Sequence, residues 1–385
     1  MDKYLAILQQ LIQIKSVNDH EEEVAKYIAD LFKGYDNVET ELISSFPGRS
    51  NVLVKVKGTE KGKILAFSGH LDVVEPGEGW TYPPFEGTVV GNKMYGLGTC
   101  DMKAGVAASL YALMDILEAG TPFAGELWFI GTVGEEIGMQ GAKDLVDGGH
   151  LEGVDAILIS EPTKRNGENQ AIFASKGSIM YTIQAEGRAA HSSMPELGIN
   201  ALTTLADFIR RVQDQFDAVT ADPKLQNPNL GSTLNVFSVI EGGRQVNSVP
   251  DKVVLRGNTR TVPEFSTDPS IGIFEAAIAK NNQDPDRATL SLNLDQVLDP
   301  AEAATDNLLI QALKRAASDK NVRLRPLIGA CELARYIHLS ADIQLVVYGP
   351  GLTEKAHTVD EYIELDEYLD TIRIFKDLAL DFLSR

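Results

Sequence analysis

Short apolar runs at Asn51 to Val56, Ile64 to Ser68, Leu127 to Val133, Ala156 to Ser160 and Leu345 to Tyr348 alternate along the chain with helical stretches such as Ala104 to Ala119. Runs that are apolar throughout, and not only at every second residue, read as strands covered on both faces. Strands of that kind separated by helices build an α/β sheet, parallel for the most part. Two amphipathic helices precede them. The first spaces Leu5, Leu8, Leu11 and Ile14 and the second Val24, Ile28 and Leu31, with Asn18 expected to cap the second.

The rhythm changes in the middle of the chain. A strand at Ile179 to Ala185, a helix from Ala201 to about Phe216, strands at Leu234 to Ile240 and Val253 to Arg260, a helix near Ile271 to Lys280 and a strand at Ala288 to Leu294 follow in the order β-α-β-β-α-β. That is the split βαβ order of a small ferredoxin-like α+β domain. At 385 residues the chain exceeds the usual size of one core. We therefore expect residues 177–296 to be inserted into a larger domain made of 1–176 and 297–385. Its second part opens with the helix Leu308 to Ala317 and ends in the helix Leu365 to Leu383.

Composition narrows the partners. Acidic residues number 55 against 35 basic ones, and the formal charge of −20 opposes binding to polyphosphate, so nucleic acid is not expected. No apolar run reaches the roughly 18 residues of a membrane span, and the N-terminus lacks the unbroken apolar core of a secretion signal. Cys100 and Cys331 lie far apart and form no CxxC pair, which offers neither a disulfide framework nor a thiolate zinc site. A soluble cytoplasmic protein with no membrane partner is expected.

Polar residues collect where the strands stop. Ile64 to Ser68 runs into His70-Leu71-Asp72, Leu127 to Val133 into Gly134-Glu135-Glu136, and Ala156 to Ser160 into Glu161-Pro162. Leu345 to Tyr348 leads through Gly349-Pro350-Gly351 to Ala356-His357, and a Gly-rich loop delivers Asp101-Met102-Lys103 at the start of a helix. Ligands of open α/β sheets bind beyond the carboxyl ends of the strands, so these groups are expected to converge. His70, Asp101, Glu136, Glu161 and His357 make two imidazoles and three carboxylates, a set suited to two borderline cations such as Zn²⁺ and not to a Ca²⁺ oxygen cage. With an odd number of carboxylates, one can bridge the two ions. Asp72 is spaced to accept the second N–H of His70. Glu135, surplus to ligation, is free to take a proton from water.

Taken singly, these residues have plainer readings: Asp101 as a helix N-cap, either histidine as a hydrogen-bonded loop residue, Glu135 and Glu136 as a solvated pair. Their joint placement at strand ends favours the metal site. The loop Tyr95 to Asp101 is no dinucleotide fingerprint, because Asp101 takes the third glycine position of GxGxxG. Cys100 reads as a buried small residue.

At these positions the chain resembles the dinuclear zinc amidohydrolase/peptidase family that includes succinyl-diaminopimelate desuccinylase, acetylornithine deacetylase, aminoacylases and several carboxypeptidases and dipeptidases. The resemblance rests on Ser68-Gly69-His70-Leu71-Asp72-Val73-Val74, Tyr95-Gly96-Leu97-Gly98 through Asp101-Met102-Lys103-Ala104-Gly105, Gly134-Glu135-Glu136, Glu161-Pro162, His191-Ser192-Ser193 with Pro195, and Ala356-His357-Thr358-Val359-Asp360-Glu361. It implies one ion, Zn²⁺ or Co²⁺, on His70, Asp101 and Glu161. A second would sit on Asp101, Glu136 and His357, with Asp101 bridging and Glu135 as general base. It further implies that the inserted domain is a lid forming a homodimer interface, that His191 serves the partner's site, and that Asn247 and Arg260 meet a substrate carboxylate. The implied activity is hydrolysis of an N-acyl amide on an amino acid or of a short peptide, with N-succinyl-diaminopimelate as lead substrate. Acetylornithine, or the substrate of a dipeptidase or carboxypeptidase, is the alternative. A noncatalytic metal-binding protein is the reading from another class, and Glu135, which no structural metal needs, argues against it. Two departures stand out: Asn258 where the family often has Asp, and Glu332-Leu333-Ala334-Arg335 where it often has Ser/Thr-Asp-Ala/Gly-Arg. The second bears on the substrate-recognition loop and leaves the metal ligands untouched.

Overall fold

A computed structural model describes residues 2–385. The chain divides into two compact units, the first running to Phe173 and taking in Ala303–Arg325 and Cys331–Arg385, the second being Ala174–Glu302 with Pro326–Ala330. In chain order the first unit opens with helices α1 (Asp2–Gln13) and α2 (Glu22–Leu31) and strands β1 (Val38–Phe46), β2 (Arg49–Lys57), β3 (Glu60–His70), β4 (Thr88–Val90) and β5 (Lys93–Tyr95). Helix α3 (Lys103–Ala119), strand β6 (Ala124–Thr132), helix α4 (Gln140–Asp147) and strands β7 (Ala156–Ile159) and β8 (Gln170–Ser175) follow. Asn18 does not cap α2: Glu21 occupies that position, and its carboxylate is committed to Arg49.

The second unit contains β9 (Ser178–Glu186), α5 (Ala201–Ala221), β10 (Leu234–Gly242), β11 (Lys252–Arg260), α6 (Thr267–Asn281), β12 (Thr289–Leu298) and the short β13 (Ala301–Glu302). The chain then adds α7 (Leu308–Ala316), β14 (Arg323–Leu327), α8 (Leu333–Tyr336), β15 (Gln344–Val347), β16 (Tyr362–Glu364) and α9 (Leu365–Leu383).

The large sheet of the first unit runs β1-β2-β6-β3-β7-β15-β8. Its centre, β6-β3-β7-β15, is parallel, while β1-β2, β2-β6 and β15-β8 pair antiparallel. The sheet is therefore parallel only where helical crossovers separate its strands. Only Pro47 and Gly48 separate β1 from β2, and so short a link permits only an antiparallel partner. Residues 65–67 of β3, 127, 129 and 130 of β6 and 156–159 of β7 have no exposed surface, as their unbroken apolar character requires. Helix α9 buries Leu365, Tyr368, Ile372, Phe375 and Phe382 at helical spacing, and Phe375 stacks on Phe67 of β3 with ring centroids 5.0 Å apart. Helix α3 packs against α9 and β3, and α7 against α9.

Two close approaches set the edge of this sheet. A Cβ on Gly105 would stand 1.9 Å from the carbonyl oxygen of Ser160, and one on Gly349 would stand 2.2 Å from it. Only glycine lets the start of α3 and the exit of β15 both close on the end of β7. Lys103, buried in the first turn of α3, donates to the carbonyls of Leu11 (2.7 Å) and Ile14 (3.0 Å) at the C-terminal end of α1. Burial draws its pKa down to about 7. Strands β16, β5 and β4 form a small antiparallel sheet of their own.

The second unit has one antiparallel sheet in the order β10-β11-β9-β12. Helix α5 starts on Asn200, whose side chain accepts from Leu202 N and Thr203 N, and buries Leu205, Phe208, Val212 and Phe216 against Tyr181, Ile183, Leu255 and Phe274. Met180, Leu234, Val236 and Leu294 of the same sheet remain exposed. Among the described residues, no helix is long and apolar enough to cross a membrane.

Candidate metal centre

Because β6, β3, β7 and β15 are parallel neighbours, their carboxyl ends share one edge of the sheet. His70 is the last residue of β3, Glu135 and Glu136 follow β6, Glu161 follows β7, and His357 lies in the loop after β15. Asp101 comes from the loop before α3. Its side chain does not cap that helix, whose N-cap position is taken by Met102. It turns instead to the histidines: Oδ1 is 3.1 Å from His70 Nε2 and Oδ2 is 3.4 Å from His357 Nε2. His357 Nε2 is 2.8 Å from Glu136 Oε1, and His70 Nε2 is 3.7 Å from Glu161 Oε1. The ligand atoms of His70, Asp101 and Glu136 all lie within 4.8 Å of one another, and so do those of His70, Glu135 and Glu161. Imidazole nitrogens and carboxylate oxygens converging at these distances are the donor set of a divalent transition-metal site, which the residues therefore fit.

Asp72 works differently from the expected contact. The ring Nδ1 of His70 meets the backbone carbonyl of Asp72 at 3.0 Å, with the carboxylate oxygen at 3.6 Å. The carbonyl thus accepts the Nδ1 proton and leaves Nε2 free to face the cluster. The Asp72 carboxylate accepts from Glu135 N and Glu136 N, both at 3.1 Å, because Asp72 is fully buried directly below the turn that follows β6. Gly134 in that turn, at φ +67°, donates to Glu21 Oε1 at 3.1 Å. Glu21 is held in turn by Arg49 through Nε (2.8 Å) and Nη2 (2.6 Å), a two-point contact in a buried setting.

Electrostatics follow from this crowding. Burial raises the Glu135 and Glu161 carboxyls well above the usual range, and neighbouring carboxylates add to the rise. Burial also opposes ionisation of Asp101, yet its hydrogen bond to His70 brings its pKa below the ordinary value. Burial would discharge His70, but its contacts with Asp101 and Asp72 raise it well above the free-residue value. The hydrogen bond to Glu136 raises His357.

Glu332, one of the sequence departures, is 1% exposed. It accepts from Thr132 Oγ1 (2.6 Å) at the end of β6 and Ser68 Oγ (3.2 Å) near the end of β3, and Tyr336 Oη shares Ser68 at 2.7 Å. The sequence signal for it was a lone acid among apolar residues at a short helix start. In the second unit, His191 is exposed with Nδ1 2.7 Å from Ser193 Oγ, and Ser192 N donates to the Asn247 carbonyl at 3.0 Å. Arg260 closes β11 opposite Leu234. Asn258, the other departure, donates to Ser178 Oγ (3.0 Å) and the Ile179 carbonyl (3.2 Å), a bond pair internal to the sheet.

Comparison with known proteins finds relatives over nearly the whole chain. The family model described as "Peptidase family M20/M25/M40" matches residues 66–381. A probable succinyl-diaminopimelate desuccinylase of Staphylococcus epidermidis is 33% identical over 99% of this chain and 98% of its own length. An acetylornithine deacetylase of Buchnera aphidicola is 29% identical, with 98% of each chain covered. The crystal structure of aminopeptidase PepT from Bacillus cereus superposes with a TM-score of 0.79 at 21% identity, covering 100% of this chain and 99% of that one.

The raised carboxyls and imidazoles have a measurable consequence. In the metal-free protein Glu161, His70 and His357 hold their protons more tightly than free residues do, and a divalent ion that these side chains took up would have to displace those protons. Titration calorimetry in buffers of different ionisation enthalpy should register proton release. Because both imidazoles are raised, affinity should weaken as pH falls, with the loss already beginning above the ordinary histidine pKa of about 6.5. Buffer-independent heats and a flat pH profile would contradict this electrostatic picture.

Proposed function

The chain belongs to peptidase family M20/M25/M40, a family of metal-dependent hydrolases, and from that premise we propose that it cleaves the N-acyl amide of an amino acid, with N-succinyl-diaminopimelate as lead substrate. The observation that carries this reading is Glu135. Its carboxylate lies within 4.8 Å of the ligand atoms of His70 and Glu161, and the assignment below needs no ligand from it. The desuccinylase relative spans almost the whole chain and supports the choice of acyl group. The deacetylase relative favours a second reading, deacetylation of acetylornithine; cleavage of a dipeptide or C-terminal residue by the same machinery is the further alternative.

We assign one ion to His70, Asp101 and Glu161 and the other to Asp101, Glu136 and His357, with Zn²⁺ the preferred metal and Co²⁺ a substitute. Bound there, the ions would supply Lewis-acid polarisation of a carbonyl and would bring the pKa of water down to ~7. Glu135 takes a proton from the attacking water and returns it to the leaving amine, a role that fits a carboxyl whose proton affinity burial raises. Asp72 keeps Glu135 and Glu136 in place through their backbone N–H groups. His191 stabilises the developing oxyanion, and Arg260 and Asn247 hold the substrate carboxylate. The second unit serves as a ferredoxin-like lid and homodimer interface, for which the exposed apolar residues of β10 are suited. The buried, free thiols of Cys100 and Cys331 fit a cytoplasmic setting.

A panel of N-succinyl and N-acetyl amino acids beside simple dipeptides, offered to the metal-loaded protein, tests the assignment. Turnover is expected to be fastest with the N-succinyl compound, and hydrolysis of dipeptides alone would move the protein to the peptidase alternative. Glu135→Gln should keep both metals and lose roughly 10²–10⁴ in kcat; loss of an ion from that variant would mean that Glu135 and Glu136 have exchanged roles. Co-expressed, differently tagged His191→Ala and Glu135→Gln chains should regain activity in the purified heterodimer, since one of its sites would combine an intact Glu135 with the partner's intact His191. Heterodimers no more active than either parent would place His191 outside the partner's chemistry.

A further inference from the structure

Asp101 meets both imidazoles, so the placement of its backbone governs both halves of the centre. It belongs to neither β5 nor α3 but to the loop Gly96–Asp101 between them. Three N–H groups of that loop turn onto one side chain, Glu361, which is 1% exposed. Glu361 Oε2 accepts from Gly98 N at 2.9 Å, while Oε1 accepts from Cys100 N at 2.6 Å and Asp101 N at 3.0 Å. Gly96 N also donates to the Glu361 carbonyl at 3.0 Å, continuing the pairing in which Tyr95 lies opposite Tyr362.

The same segment begins at His357. Between the two, the Asp360 carboxylate accepts from Thr81 N (2.8 Å) and Tyr82 N (3.4 Å), and Thr358 Oγ1 donates to the Lys355 carbonyl at 2.9 Å. His357 and Asp360 both have positive φ, at +57° and +56°. One short stretch thus carries a candidate ligand at its start and, at its end, the side chain that orders the loop of another. Only an acidic side chain presents two acceptor oxygens and no donor; an amide of the same length would set its NH₂ against a backbone N–H whichever way it turned. A buried donor without an acceptor is costly enough to displace the loop.

We propose that Glu361 is a positioning residue for the metal centre: by accepting from Gly98, Cys100 and Asp101 it fixes Asp101 and ties it to the segment bearing His357. The inference rests on the ligand assignment above and adds a requirement to it: the ion of Asp101, Glu136 and His357, the one that draws on both segments joined by Glu361, depends most on a residue that touches no metal. A residue that merely stapled a surface loop would lower stability without a selective effect on that ion.

The test is titration of the chelator-stripped full-length protein with Co²⁺, followed by calorimetry and by the visible absorption of the ion. Wild type is expected to take up two ions. Glu361→Gln, shown to be folded by a cooperative melt, is expected to bind one of them about 10–100-fold more weakly, the usual effect of removing a partner behind a ligand. Glu361→Asp keeps both acceptor oxygens on a shorter stem and should recover part of that loss; it also decides the matter if the Gln variant does not fold. Two ions bound with wild-type affinities by the folded variants would overturn the proposal while leaving the ligand assignment intact. No Co²⁺ uptake by wild type would overturn the assignment itself, and the proposal with it.

Discussion

Carboxylates gathered out of bulk water repel one another, and the gathering of Asp101, Glu135, Glu136 and Glu161 around two imidazoles holds only because the backbones that carry them are fixed from behind. Burial and like charge lift Glu135 and Glu161 well above their ordinary range, so their ionised forms are disfavoured where they stand. The restraint begins with the parallel register of β6, β3, β7 and β15, which brings four chain segments to one edge. Gly105 and Gly349 then allow α3 and the β15 exit to close on Ser160, so that Asp101, Glu161 and the His357 loop share a narrow space.

A second layer of acids secures those segments without adding to the set of ligands. Asp72 accepts from the two glutamate N–H groups after β6, Glu21 from Gly134, and Glu361 from the loop of Asp101. Glu332 does the same with hydroxyls, joining Thr132 and Ser68 beneath the ends of β6 and β3. Buried carboxylates that accept from backbone N–H groups satisfy orphan donors and rigidify turns. Where a full charge had to be balanced, as at Glu21, the chain supplies Arg49 through two parallel bonds. Breaking a buried pair of that kind typically costs about 3–5 kcal/mol, several times the ~1 kcal/mol of an ordinary internal hydrogen bond. Pre-set geometry of this sort suits a hydrolase, whose polar groups must already point to where charge develops.

Legibility in the sequence tracked the physics of each element. Strands β3, β6 and β7 announced themselves because strands covered on both faces are apolar throughout. Helix α9 was readable to the residue, since its apolar stripe is regular and acids occupy its first turn. Strand β1 escaped notice: Glu39, Thr40, Glu41 and Ser44 leave it half exposed, and its partner β2 supplies the order. Strands β4, β5 and β16 have three residues each, too few for any periodicity. Asn18 looked like a cap because capping chemistry is local, but Glu21, drawn to Arg49, decided where α2 begins.

The sequence by itself determined which donors exist and that they follow the strands, because an apolar run ending in His, Asp or Glu is a local pattern. Tertiary structure alone decided which atom meets which. His70 and Asp101 are 31 positions apart, His357 and Glu136 221 apart, and Glu361 and Asp101 260 apart, so their meeting depends on strand order and register. The division of labour within Asp72, carbonyl to His70 and carboxylate to Glu135 and Glu136, depends likewise on how the turn after β6 lies over the end of β3. Hydrogen bonds are directional to within a few tenths of an ångström, whereas periodicity and composition carry no information about distance between segments remote in the chain.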